Sequence, residues 1–193
     1  MAELFLELFT EEIPYGLQVN ARLNLKKNIE IFFEQKQIKC KHVTTFSTPK
    51  RLVLFAEGLP ISIEQKGEEI RGPRVNAPQQ AIEGFIKSHN VKKTNVYKKK
   101  INNGEFFFIK TKTVKLNLYD TLQRAMTEIL NNLAWKKSMR WSNHECFWGR
   151  PLKSICATFD GKALIFKYFH LVSSNVTFAD EVLEEKPKKI KSF

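Results

Sequence analysis

The chain has 193 residues, of which 42% are hydrophobic and 27% charged, and its formal net charge is +12. That length supports one sizeable domain or two small lobes with a real core, and the balance excludes a disordered chain. No apolar run approaches bilayer length, and the opening MAELFLELFTEEIP carries four glutamates where a secretory signal has positive charge and then an unbroken apolar stretch. The expectation is a soluble, cytoplasmic protein with no membrane partner.

Residues 3–9 alternate polar and apolar (E-L-F-L-E-L-F) and read as a strand. Thr10 is placed to cap a following helix, with Glu11 and Glu12 at its positive end and Pro14 tolerated in the first turn. Ile13, Leu17, Ala21, Leu25, Ile29, Phe32 and Phe33 recur at helical spacing, so the pattern predicts a long amphipathic helix to about Gln37. Residues 43–46 and 51–56 read as strands broken at Thr48-Pro49, because proline cannot donate to a ladder, and 59–64 as a third.

From Arg71 the texture changes. Arg71-Gly72-Pro73-Arg74 reads as a turn, and Pro78 opens a helix to about His89 through Ala81, Ile82, Phe85 and Ile86. Residues 96–101 and 106–111 flank Asn102-Asn103-Gly104, a hairpin signal because both Asn and Gly accept positive φ. Residues 116–133 return to helical spacing through Leu118, Leu122, Ala125, Ile129 and Leu133. Strands at 155–159 and 163–169 are joined by a second hairpin turn, Asp160-Gly161. The fold class is α+β: a sheet-and-helix core (1–74 and 116–180) with an inserted helix-plus-hairpin lobe (75–115) and a basic tail (181–193) expected to fray.

Three scattered cysteines, Cys40, Cys146 and Cys156, fit reduced thiols better than a disulfide framework or a zinc site. The charge excess is carried by 25 lysines and seven arginines. Such an excess is the footprint of a nucleic-acid binder, but a composition rich in Lys, Asn, Ile and Phe also follows from AT-rich codon usage. The positions of the arginines therefore matter more than the total.

Five segments in order resemble one family. Leu6-Glu7-Leu8-Phe9-Thr10-Glu11-Glu12-Ile13-Pro14 is similar to its opening strand and Thr-Glu-Glu-Leu/Ile-Pro signature, and Thr48-Pro49-Lys50-Arg51-Leu52 to its Thr-Pro-Arg-Arg-Leu. Arg71-Gly72-Pro73, followed by Gly84-Phe85 and Val91, matches its Gly-Pro segment and Gly-Phe helix. Lys137-Ser138-Met139-Arg140-Trp141 and Arg150-Pro151 match its Lys-x-Met-Arg-Trp…Arg-Pro stretch, with the same nine-residue step. The family is the β subunit of the two-subunit bacterial glycyl-tRNA synthetase, and the resemblance is to its N-terminal region. It departs where Ala179-Asp180-Glu181 replaces the family's Gly-His-Arg, in a shorter segment between Val75 and Gly84, and in length, since the family's β subunit is several times longer.

The resemblance implies that glycine activation, with its ATP and Mg, belongs to a separate α subunit. The β subunit supplies binding of tRNA(Gly) and is needed for activity; DNA is not an expected partner. This fits a chain with no Gly-x-x-x-x-Gly-Lys-Ser/Thr loop and no Gly-x-Ser-x-Gly elbow. His144-Glu145-Cys146 does not read as a metal site, because consecutive residues rarely converge on one ion. Asn175-Val176-Thr177 matches a glycosylation acceptor but has no meaning in the cytoplasm.

Candidate tRNA or interface contacts are Lys50, Arg51, Arg71, Arg74, Lys92, Lys93, Lys98, Lys99, Lys100, Arg140 and Arg150. Each has a structural counterpart reading. Lys50-Arg51 can pair with the N-terminal glutamates, and Arg140 and Arg150 can lie over Trp141 and Trp148 in a core. The lysines of 92–100 can simply solvate a strand edge. An alternative function is a free-standing basic RNA-binding module with no enzymatic partner; an independent hydrolase has no motif behind it.

Overall fold

The structure, a computed structural model, describes residues 1–65, 69–89, 96–101, 104–110, 113–140, 147–178 and 187–190. It divides into two compact units, Met1–Ile63 with Leu116–Phe193, and Glu64–Lys115.

The first unit is built on strands β1 (Ala2–Thr10), β2 (His42–Thr48) and β3 (Arg51–Leu59), with β9 (Leu152–Phe159) and β10 (Lys162–Ala163) from the far end of the chain. They form an antiparallel sheet in the order β10-β9-β1-β3-β2. The period-2 pattern of β1 sends Leu4, Leu6 and Leu8 to one face, where α1 (Tyr15–Gln35) and α3 (Leu118–Asn131) cover them. Full burial of each leucine stabilises the fold by about 2 kcal/mol. Helix α1 contributes Ala21, Leu25, Ile29, Phe32 and Phe33; α3 contributes Leu118, Leu122, Met126, Ile129 and Leu130. Asn28 Nδ2 donates to the Ile129 carbonyl at 3.2 Å and ties the two helices together.

Helix α1 starts later than its apolar spacing suggests. Thr10 stays in β1, where its amide donates to the Lys50 carbonyl (2.8 Å) and its hydroxyl to that of Glu11 (2.7 Å). The amides of Glu11 and Ile13 are taken by the Pro151 and Pro49 carbonyls, so this stretch is extended and Pro14 opens the helix. Helix α3 opens at Leu118 rather than 116 and is capped by Asn117, its Oδ1 accepting from Tyr119 N at 2.9 Å. Asp160 and Gly161 adopt positive φ (50° and 74°), as the hairpin turn requires. The expected strand at 163–169 is divided between β10 and β11 (Lys167–Tyr168), which pairs with β12 (Leu171–Val172). Between them the chain folds around buried Ser173, whose Oγ accepts from Phe166 N and donates to the Leu164 carbonyl, both at 2.7 Å.

Past Ser173 the chain runs along β9, where Ala157 N donates to the Ser174 carbonyl and Ser174 N to that of Ile155. Strand β13 (Val176–Thr177) then pairs with β14 (Lys188–Lys189), so part of the tail expected to fray is held in a ladder. The residues at 179–186 and 191–193, including Ala179-Asp180-Glu181, lie outside the described residues.

The second unit holds β5 (Glu69–Arg74), α2 (Gln79–Ser88), β6 (Val96–Ile101) and β7 (Gly104–Lys110), its three strands ordered β5-β7-β6. Strands β4 (Ser62–Gln65) and β8 (Val114–Asn117) pair where the chain passes between the units. The unit begins at Glu64 rather than 75, because Arg71-Gly72-Pro73-Arg74 does not form an isolated turn. It is a bulged strand paired with β7, with Arg71 opposite Phe108 and Arg74 opposite Phe106.

Candidate functional site

Alternation along β7 gives the second unit two unlike faces. Phe107 and Val96 point to the side of α2, where Ile82 and Ile86 join them around a small cleft. Gly72 meets the same helix closely: a Cβ there would collide with the Phe85 ring, so a larger residue is excluded. The opposite face carries Phe106, Phe108, Tyr97 and Lys99, with Glu69 and Arg71 from β5. Tyr97 stacks on Phe108 with ring centres 6.1 Å apart.

Cations lie over these rings. The Arg71 guanidinium is centred 3.7 Å above Phe106, and Arg74 stands 5.6 Å from the same ring centre. Lys99 is 5.6 Å from Phe108 and ion-pairs with Glu69 at 2.7 Å, while Lys98 lies 5.9 Å from Phe107. Both arginines are exposed, and among the described residues neither forms an ion pair with a carboxylate. Each cation–π contact at such a site contributes about 0.5–1 kcal/mol and orders a side chain that would otherwise sample many rotamers. Lys98, Lys99 and Lys100 are exposed; Lys92 and Lys93 lie outside the described residues.

In the first unit the arginine of the Thr-Pro turn points inward. Arg51 Nη1 is 3.1 Å from Glu7 Oε1 and 3.4 Å from Thr177 Oγ1, and Nη2 donates to the Phe178 carbonyl at 2.5 Å. Thr177 in turn donates to Glu7, and the Phe9 ring lies 4.5 Å under the guanidinium. The same environment acts on Cys156, opposite Glu7 in the ladder: burial, and then the Glu7 charge, push its thiol up to about 12. Lys50 is half-buried at the turn. Glu11 pairs with Lys153 at 2.9 Å.

Just before Arg150-Pro151, Trp148 is buried, but no arginine among the described residues lies over it. Trp135 packs against it with ring centres 5.0 Å apart, and Tyr168 meets it edge-on at 5.8 Å. Arg150 turns away, donating from Nε to the Glu12 carbonyl (3.2 Å) and from Nη1 to that of Gly149 (3.1 Å). Arg150 lies in a bend just before Pro151, from which its side chain reaches the carbonyl of Glu12 in the β1–α1 connection. Arg140 is exposed beside the Met139–Trp148 bridge; Trp141 and the His144-Glu145-Cys146 triplet lie outside the described residues.

The candidate residues thus separate. Arg71, Arg74 and Lys99 share one sheet face of the second unit, whereas Arg51 and Arg150 serve the first unit's own backbone and carboxylates. Nothing in the sequence marks Thr177, Phe106 or Trp135 as a partner in these clusters. Only the β5–β7 register reveals Phe106 as the ring beneath two arginines, and nothing local to Thr177 points to Glu7, 170 residues earlier.

A groove of about 750 Å³ runs between α1 and α3, lined by Phe32, Ala125 and Ile129, with Lys36, Arg124 and, as its one carboxylate among the described residues, Glu128. Among the described residues no three His, Cys, Asp or Glu side chains converge to hold a metal, and no helix is long and apolar enough to cross a membrane.

Among known proteins, the chain is similar to subunits of aminoacyl-tRNA synthetases. The family model that matches is "Glycyl-tRNA synthetase beta subunit", over residues 4–193. The chain is 37% identical over its whole length to the glycine–tRNA ligase β subunits of Rickettsia conorii (strain ATCC VR-613 / Malish 7) and Rickettsia bellii (strain OSU 85-389), and 36% identical to that of Rickettsia akari (strain Hartford). It therefore belongs to the glycyl-tRNA synthetase β-subunit family. The matched region is N-terminal, and the chain spans 29% of the length of these relatives.

Proposed function

We propose that this chain is a tRNA-supporting part of a glycine–tRNA ligase: it helps hold tRNA(Gly), associates with the catalytic α subunit in the cytoplasm, and does not itself form glycyl-adenylate. The observation that carries the reading is the pair of exposed arginines over Phe106, without carboxylate partners among the described residues, in a chain of net charge +12. Ordered guanidinium groups bind phosphate at less entropic cost than loose lysines. Family membership favours the ligase reading over a free-standing RNA-binding module.

ATP and Mg are assigned to the α subunit, a reading supported by the family resemblance and by the make-up of the groove between α1 and α3. Magnesium–nucleotide sites use carboxylates beside phosphate-cradling backbone, and among the described residues that groove offers Glu128. The test is glycylation of tRNA(Gly) by purified α subunit with and without this chain, alongside glycine-dependent pyrophosphate exchange by the chain alone. The reading requires co-purification with α and no exchange by the isolated chain. Exchange by the chain alone contradicts it.

A further inference from the structure

We infer that the Arg71–Arg74–Phe106 face of the second unit takes unpaired nucleotides of an RNA, with a base lying on the outer surface of the Arg71 guanidinium and a phosphate against Arg74. This rests on the proposal that the chain binds RNA, and it names the part of the RNA and the chemistry that receives it.

The rings themselves are not the platform. Phe106 is 8% exposed and Phe108 4%, so a base cannot lie directly on either. What faces solvent is the layer above them. At 3.7 Å from the Phe106 centre, the Arg71 guanidinium is at a separation reached by lying flat on the ring rather than edge-on. A flat guanidinium has a second π surface outward and N–H donors around its rim. Phe106 fixes its plane, so little entropy remains to be lost when a base stacks on it.

The surroundings give the site a direction. Glu69 neutralises Lys99 at 2.7 Å, so that end offers an anion no net attraction. Arg74 lies beside the Phe106 ring and meets no carboxylate among the described residues, so the phosphate belongs there. Gly104 keeps this side open: a Cβ on it would come within 3.0 Å of Phe106 Cε2 and 3.9 Å of Arg74 Nε.

A duplex would not use this arrangement. A-form RNA presents phosphates and ribose hydroxyls and hides the faces of its bases, and lysines serve such a surface as well as arginines do. A planar cation prestacked on a ring is matched only by a base whose face is exposed, as in single strands, loops and ends.

The test compares the chain with its Arg71→Lys variant, which keeps the charge and loses the plane, by fluorescence anisotropy against a short single-stranded oligouridylate and a short blunt RNA duplex. A Phe106→Leu variant, checked by thermal melting for an intact fold, removes the support beneath Arg71. Both variants should lose on the order of tenfold in single-strand affinity while duplex affinity and its salt dependence stay unchanged. Single-strand affinity equal to wild type, or an equal loss on the duplex, overturns the inference. So does a wild-type chain that ignores the single strand while binding tRNA(Gly), which leaves the proposed function standing. A wild-type chain that binds no tRNA(Gly) at all removes the function on which this rests.

Discussion

Arg51 and Glu7 form an ion pair 3.1 Å long on neighbouring strands of the central sheet, on the face turned away from the two helices. Thr177 and the Phe178 carbonyl complete the cluster, so one guanidinium joins the first strand, the third strand and the segment arriving from the far end of the chain. Removing Arg51 strands a buried carboxylate and frees a backbone acceptor. The Arg51→Ala variant should lose about 2–3 kcal/mol of stability, below the range for a fully buried pair because the guanidinium is partly solvated. Urea unfolding measures this, and a loss below about 1 kcal/mol would show that the cluster is ordinary surface electrostatics.

Trp148 should be a core residue in the plain energetic sense. It is 1% exposed and packs against Trp135 and Tyr168, so Trp148→Ala is expected to cost about 3–5 kcal/mol. Gly149→Ala tests the same packing from outside, since its Cβ would collide with Trp135 Cε3. A loss of about 1–3 kcal/mol is expected from such overpacking. Thermal melts of the two variants decide, and a Gly149→Ala protein that melts like wild type contradicts the close approach.

The Cys156 thiol, pushed up to about 12, should resist thiol reagents at pH 8 until the protein unfolds. The same shift makes stability pH-dependent. Below the ordinary thiol pKa near 9 both states hold the proton and the contribution is complete. As pH rises from about 9 towards 12, the unfolded thiol ionises while the folded one does not, and stability falls by up to about 1.4 kcal/mol per pH unit. A Cys156→Ala variant should lose this alkaline slope; a native Cys156 that reacts at the rate of an exposed thiol contradicts the burial.

Lys98, Lys99 and Lys100 are expected to act as exposed point charges. Replacing all three with alanine should reduce RNA affinity modestly and lower the salt slope by about 0.9 for each phosphate no longer neutralised. Stability should change by less than about 1 kcal/mol, since the Lys99–Glu69 pair is exposed. An unchanged affinity and salt slope would make these lysines a solvated strand edge.

Much of the fold was legible from local pattern. The alternation of β1, the spacing of Leu25, Ile29, Phe32 and Phe33 in α1, and Asp160-Gly161 each encode their element within a few residues. Local pattern misleads where distant groups take up local hydrogen bonds. Thr10 looks like a helix cap, but the Lys50 carbonyl holds its amide in a strand. Arg71-Gly72-Pro73-Arg74 looks like a turn, but β7 draws it into a ladder and moves the start of the second unit to Glu64. The candidate site behaves likewise: residue types marked Arg71 and Arg74, while their shared ring depends on a strand register invisible to spacing. Trp141, expected beside Arg140 in a core, lies outside the described residues, and Trp148 fills the role expected of a buried tryptophan.

Titrating tRNA(Gly) into the purified chain at a series of salt concentrations decides whether the chain helps hold tRNA for a glycine–tRNA ligase. Binding at low salt should weaken steeply as salt rises, with a log–log slope of several units, as release of counterions from phosphates requires. No binding at low salt, or an affinity indifferent to salt, would contradict that role.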